Sequence, residues 1–166
     1  MSLDNALLRY AVHIYSQAEV ESICLQLQQH YSLSVNRVLF SLWLASEERL
    51  LAVDLLDDRR LQQWNSEILS PLRALRYRLK QAQTSAADTA NCYQSFKQTE
   101  LEAEKVELAR LFELGVEGCE LVTLDCRQLA HENLQAYLQY ANITVEPQLE
   151  SLLAQLIVIG IPAASD

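Results

Sequence analysis

Apolar residues recur along this chain at intervals of three and four, the rhythm of helices that each bury one face. Over residues 3–15 that face is Leu7, Ala11 and Ile14, widened by Leu8, Tyr10 and Tyr15. Ser16-Gln17-Ala18-Glu19 has the form of a capping box, in which serine and glutamate side chains satisfy each other's free backbone donors. It predicts a second helix over 17–30, buried through Val20, Ile23, Cys24 and Leu27, with His30 in its last turn. Ser34 is the expected N-cap of a third helix over 35–45. Val35, Val38, Leu39, Phe40, Leu42, Trp43 and Leu44 leave that segment apolar on nearly every side, which predicts a buried central helix. Glu47, Glu48 and Arg49 mark its exit to solvent, and a short helix is expected over 50–56.

Asp57 and Asp58 are expected to cap a fourth helix over 58–81, with Leu61, Trp64, Ile68, Leu72, Leu75 and Leu79 as its seam. The rhythm crosses Pro71 without a phase error, so the segment reads as one helix kinked at the proline. Ser70-Pro71 also fits the opening of a separate helix. The polar run 83–88 predicts a mobile linker. A long helix follows over 89–114, with Leu101, Leu108, Leu111 and Phe112 inward, Glu100, Glu104 and Glu107 outside the seam, and Gly115 as the residue that ends it. Residues 115–124 read as irregular. Asp125-Cys126-Arg127-Gln128 is a second capping box, opening a helix to residue 141, and Pro147 opens a last helix that stops at Gly160.

Composition narrows the class. The 166 residues are half hydrophobic, and the first glycine is Gly115; before it stands a single proline, Pro71. Tight hairpins depend on glycine, so a β-rich fold is disfavoured. The chain is expected to be one all-α domain over 1–166, a bundle of six to seven helices around the segment near 35–45. Cys24, Cys92, Cys119 and Cys126 are too few for a disulfide scaffold, and Met1-Ser2-Leu3-Asp4 lacks the basic and apolar runs of a secretory leader. Reduced thiols in a cytoplasmic protein are expected. The most apolar stretch, over 152–164, is interrupted by Gln155, Gly160 and Pro162 and falls short of the ~20 residues that span a bilayer.

The net charge of −9 is unevenly placed. Residues 1–83 hold 9 Lys/Arg and 9 Asp/Glu, while residues 84–166 hold 4 and 13. An acidic second half repels phosphate backbones, which argues against nucleic-acid binding. Against that background Arg73, Arg76 and Lys80 repeat at i, i+3 and i+7, with Arg78 beside them. This stripe is either a solvated face paired with glutamates of the following helix or a docking surface for an acidic protein or a phosphorylated ligand.

Other constellations dissolve on inspection of their spacing. Asp54, Asp57 and Asp58 resemble a Mg²⁺-diphosphate motif but lack a second acidic motif, and helix capping accounts for them better. Cys119, Cys126 and His131 are too widely spaced for a zinc knuckle and lack a fourth ligand. Tyr10, Leu27 and Gln128 stand three residues before His13, His30 and His131, so no Glu-x-x-His pair for a di-iron bundle is present. No catalytic residue, metal site or cofactor is expected. Asn36, in the first turn of the buried helix, is the amide most prone to enclosure, where it must be hydrogen-bonded.

The run Val35-Asn36-Arg37-Val38-Leu39-Phe40-Ser41-Leu42-Trp43-Leu44-Ala45, with Trp64, Pro71-Leu72-Arg73-Ala74-Leu75-Arg76, Tyr15, Cys24-Leu25 and Glu100-Leu101-Glu102-Ala103-Glu104, resembles a family of small proteobacterial proteins of unknown function. The likeness covers roughly residues 5–110. It implies a bacterial cytoplasmic protein and brings no activity, cofactor or catalytic residue with it.

The leading expectation is a non-enzymatic interaction protein that docks through Arg73, Arg76 and Lys80, without nucleic acid or membrane; a homo-oligomer is compatible with the chain. The alternative is a small-molecule or lipid-like ligand held between helices by Asn36, Phe40, Trp43 and Trp64. A deep apolar pocket beside Asn36 is what the alternative requires.

Overall fold

A computed structural model of the chain describes residues 2–82 and 87–162. Among them the fold is all-α, with one isolated bridge between Arg49 and Leu121 in place of any strand. The helices are α1 (Ala6–Tyr15), α2 (Val20–Tyr31), α3 (Val35–Ser46), a 3-10 turn (Val53–Asp57), α4 (Arg59–Trp64), a π turn (Asn65–Leu69), α5 (Ser70–Ala82), α6 (Ala87–Gly118), α7 (Cys126–Tyr140) and α8 (Pro147–Gly160). Helix α4, the π turn and α5 run on as one rod. No helix of the described residues is long and apolar enough to cross a membrane.

Helix α3 is the centre, as its composition predicts. Asn36 and every residue from Val38 to Ala45 are buried in it. It packs on α1, α6, α7 and α8, most extensively on α7. Its polar atoms are accounted for locally: Ser41 Oγ donates to the Arg37 carbonyl (2.9 Å), and Asn133 from α7 reaches across to the Ser41 carbonyl (3.2 Å). Asn133 is fully buried and also accepts from Leu51 N–H (2.8 Å) and donates to the Arg49 carbonyl (3.0 Å). One amide thus pins the segment leaving α3 to the face of α7.

The left-handed turns that follow helices use residues other than glycine. Ser32, Glu48 and Asn142 adopt left-handed backbone with φ of 54°, 57° and 55°. The residue after each donates back to a carbonyl of the finished helix: Leu33 to Leu27, Arg49 to Leu44, Ile143 to Leu138. Such bonds offset the ~1–2 kcal/mol that left-handed backbone costs a residue with a Cβ. At the other ends, Asn5 caps α1 through Leu8 N–H, Asp58 caps α4 through Arg60 and Leu61 N–H, and Asp125 caps α7 through Arg127 and Gln128 N–H.

Several expectations are corrected. Ser16 does not open α2: its hydroxyl donates to the His13 carbonyl (2.6 Å), closing α1, and α2 begins at Val20 with no side-chain cap. A serine beside a finished helix bonds its own last turn more readily than a helix not yet begun. Helix α1 starts at Ala6, not residue 3, because Asn5 supplies the cap. The expected short helix over 50–56 is the 3-10 turn. The phase of the α4–α5 seam is not preserved either: Leu69 is fully buried and Ile68 exposed. Pro71 cannot donate, and its ring crowds the preceding turn. The helix widens just before it, Ser70 N–H bonding to the Asn65 carbonyl, and that π turn admits one extra residue. The linker expected over 83–88 lies outside the described residues for 83–86, while Ala87 and Asp88 already belong to α6.

Gly115 does not end α6, which continues to Gly118. A Cβ on Gly115 would meet the Phe40 ring at 2.7 and 3.0 Å and a Leu44 methyl at 3.1 Å. The glycine is there to let α6 lie against α3. Gly115→Ala is therefore expected to cost about 1–3 kcal/mol through overpacking, read as a lower urea midpoint with an unchanged slope. Gly118→Ala, which meets only the end of the Leu55 side chain, is expected to cost less in the same assay.

Candidate functional site

Helix α6 is 32 residues long, about 48 Å, and only its second half lies on the core. Its first half pairs with α5 to form a helical hairpin. Helix α5 packs chiefly on α6 and on the π turn before it. None of the described side chains over 70–81 and 90–99 is buried; Leu72, Leu75 and Leu79 are no more than half-buried. An αα-hairpin with so little enclosed apolar surface needs other contacts to hold it.

Those contacts are ionic. Arg73 Nη2 donates to Glu104 (2.9 Å), and its Nε lies 3.5 Å from Glu100. Arg76 donates through Nε to one oxygen of Glu100 and through Nη2 to the other (3.3 Å). The side chains are only 17, 16, 8 and 28 % exposed for Arg73, Arg76, Glu100 and Glu104. Burial pushes the Glu104 carboxyl above its ordinary range, against the pull of Arg73. The stripe is thus divided. Arg73 and Arg76 stitch α5 to α6, whereas Lys80, with Arg78, is exposed and carries no ion pair among the described residues. Lys97, across the hairpin on α6, is likewise exposed and carries no ion pair among the described residues.

Sequence reasoning passed over Lys97, although the charge count around the linker contains it. Residues 70–99 hold five Lys/Arg against one acid, Asp88, a net of +4, while the remaining chain carries −13. The hairpin is a basic arm on an acidic body.

Asn36 does sit in an enclosed polar network. Its amide donates to Glu107 (2.7 Å), a fully buried carboxylate that also takes a longer bond from Asn65 (3.4 Å). The network joins α3, the π turn and α6. Neither Glu107, spaced one turn from Glu104 on a face read as outward, nor Asn65 stood out in the sequence. The three aromatic residues grouped with Asn36 lie elsewhere. Phe40 and Trp43 stack in the core at 6.2 Å between centroids, with Phe112 at 5.4 Å from Trp43. Trp64 donates through Nε1 to the Ala103 carbonyl (2.9 Å) under the Arg110 guanidinium, fastening α4 to α6. An apolar groove of about 360 Å³ does open beside Asn36, but Leu8, Val12, Tyr15, Leu39, Leu101 and Leu108 line it, between α1, α3 and α6.

The model for the family described as "Protein of unknown function (DUF2390)" matches residues 6–111. The chain belongs to this family. The match takes in α1 to α5 and most of α6, hence the arm, Asn36 and Glu107, and leaves out α7 and α8. No curated protein and no solved structure matches the chain. Among the described residues, no three of His, Cys, Asp and Glu gather as a metal site would need.

Glu100 takes two bonds from Arg76 and faces Arg73 Nε at 3.5 Å, so Glu100→Gln is expected to release the arm while sparing the core. Hydrogen exchange should quicken across α5 and the first half of α6 but not in α3 or α7, with a global loss of about 1–3 kcal/mol. The thiols give an independent check on the core. Burial pushes Cys24 up to about 11, so it stays protonated through pH 9, and Cys119 is buried and raised as well. Ellman's reagent at pH 8 is expected to titrate exposed Cys92 first and to reach Cys24 only in denaturant.

Proposed function

We propose that this protein is a non-enzymatic interaction protein of the cytoplasm that docks an acidic protein surface through the α5–α6 arm. The observation that carries this reading is the arm's combination of a net charge of +4 with no buried described side chain, on a body of −13. Little holds the arm except its own ion pairs and half-buried leucines, so its exposed flank is free to face a partner. Arg78, Lys80 and Lys97 are the contact charges; Arg73 and Arg76 act one step back, keeping the two helices in register. Tyr77, 37 % exposed, supplies apolar contact among the charges. Nucleic acid fits less well, since three exposed cations beside an acidic body make a weak electrostatic footprint.

The division of the stripe decides which variant to make. Charge reversal at Arg73 or Arg76 breaks the arm internally and tests folding instead of docking. Arg78→Glu, Lys80→Glu, Lys97→Glu leaves every internal pair intact. Capture from native lysate is expected to retain an acidic protein on wild type, to lose it on this triple variant, and to weaken as salt rises from 50 to 300 mM. Retention of that partner by the folded triple variant would remove the arm from the reading.

The apolar groove beside Asn36 favours a second reading, a small apolar or lipid-like ligand. Native mass spectrometry of protein purified from its host, showing a bound aliphatic molecule and no partner, would move the function to that groove.

A further inference from the structure

A separate cleft of about 460 Å³ opens where the α2–α3 turn, the base of α5 and the end of α7 meet. Its walls include Ser34 and Arg37 at the start of α3, Arg73 and Tyr77 from α5, and Tyr137 and Tyr140 from α7. Among the described residues, two buried side-chain atoms have neither a hydrogen bond nor an ion pair, Ser34 Oγ and Arg37 Nε; Arg73 Nε makes no hydrogen bond but lies 3.5 Å from Glu100. Both unpaired atoms belong to residues that line this one cleft. Buried donors in folded proteins are paired in the great majority of cases, so two orphans beside one space are a coherent feature and not scattered defects.

A third donor joins them. Tyr137 Oη accepts from Ser34 N–H (3.1 Å), and its own proton has no acceptor among the described residues. Ser34 occupies the N-cap position of α3 yet makes no capping bond, and the first turn of α3 holds no acidic residue. The carboxylate at that end of the central helix comes from α6, where Glu107 takes the Asn36 amide. The acids nearby are already engaged. Glu104 takes Arg73 Nη2, Glu107 is held by Asn36 and Asn65, and Asp57 accepts the Tyr140 hydroxyl proton (2.6 Å). Arg37 has no carboxylate within 4.0 Å among the described residues; its guanidinium lies 6.0 Å from the centre of the Tyr140 ring.

We infer that this cleft binds the phosphate group of a small organic ligand. Arg37 and the Ser34 hydroxyl from α3 and the Tyr137 hydroxyl from α7 supply donors from two walls. A tetrahedral oxyanion can accept from all of them, whereas the planar carboxylate offers two oxygens in one plane. The cleft is larger than the anion alone, and Tyr77 and Tyr140 flank the space left for the organic part. This site is distinct from the contact charges of the docking flank, Arg78, Lys80 and Lys97, although Tyr77 borders both.

The test uses inorganic phosphate as the probe, followed by ³¹P NMR line width with the full-length protein at pH 7.5 and low salt. Wild type is expected to broaden the signal saturably, and phenyl phosphate is expected to displace it. Arg37→Gln should weaken binding about tenfold or more, Ser34→Ala a few-fold, and Arg9→Gln, outside the cleft, not at all. Thermal melts by circular dichroism establish that each variant is folded, and Ser34→Ala decides the matter if Arg37→Gln is not. Absence of saturable broadening overturns the proposal, as does equal broadening by Arg37→Gln and Ser34→Ala. Displacement by acetate at lower concentration than by phenyl phosphate overturns the phosphate assignment in favour of a carboxylate.

Discussion

Helix α3 has almost no face left for water, and the rest of the molecule follows from covering it. Nine of its twelve residues are buried, and a side chain of Leu, Phe or Trp size gains roughly 1.5–3 kcal/mol from full burial. Four helices must therefore approach it closely. Gly115 shows how close: the space a Cβ would need is taken by the Phe40 ring. Gly118 and Gly160 are used in the same way, against Leu55 and Tyr10. Each of the chain's three glycines admits a neighbour, and the turns, where glycine would be the easier choice, are left to serine, glutamate and asparagine.

A helix enclosed so completely obliges its polar atoms to find protein partners. Asn36 meets Glu107 and Ser41 bonds its own helix, while Asn133 collects three bonds around the segment leaving α3. These bonds fix register where apolar packing alone would tolerate sliding, because a half-satisfied buried amide or carboxylate costs about 1–3 kcal/mol. The exceptions gather at one end. Where α3 begins, Ser34 and Arg37 keep unpaired donors beside a common cleft. A core so well satisfied elsewhere makes that end conspicuous.

The arm obeys the opposite rule. Beyond Glu100 the hairpin has left the core, and its helices rely on half-buried leucines and on arginine–carboxylate pairs with moderate exposure. Local stability should fall along it as apolar enclosure falls. One chain thus holds a rigid, satisfied centre and a loosely held, charged projection, joined through a π turn that adapts the helix to Pro71.

Most of the helices were legible in the sequence, because a 3.6-residue period and the caps Asp58 and Asp125 are local properties. The central place of α3 was legible too, since an element apolar all round has only one place to go. What failed were features decided by a neighbour. The π turn moved the seam from Ile68 to Leu69, Ser16 closed the helix before it, and Gly115 served Phe40 instead of a helix end. The arginine stripe was visible as a pattern, with pairing to the next helix as one of its two readings. Only the fold of α6 onto α5 divided it into paired Arg73 and Arg76 and unpaired Lys80. Glu107 and the cleft around Arg37 had no signal of their own, for their partners lie 71 and 103 residues apart in the chain. Periodicity reports how a residue faces its own helix; whether a buried donor finds an acceptor depends on which distant helix arrives, and that is settled by tertiary packing.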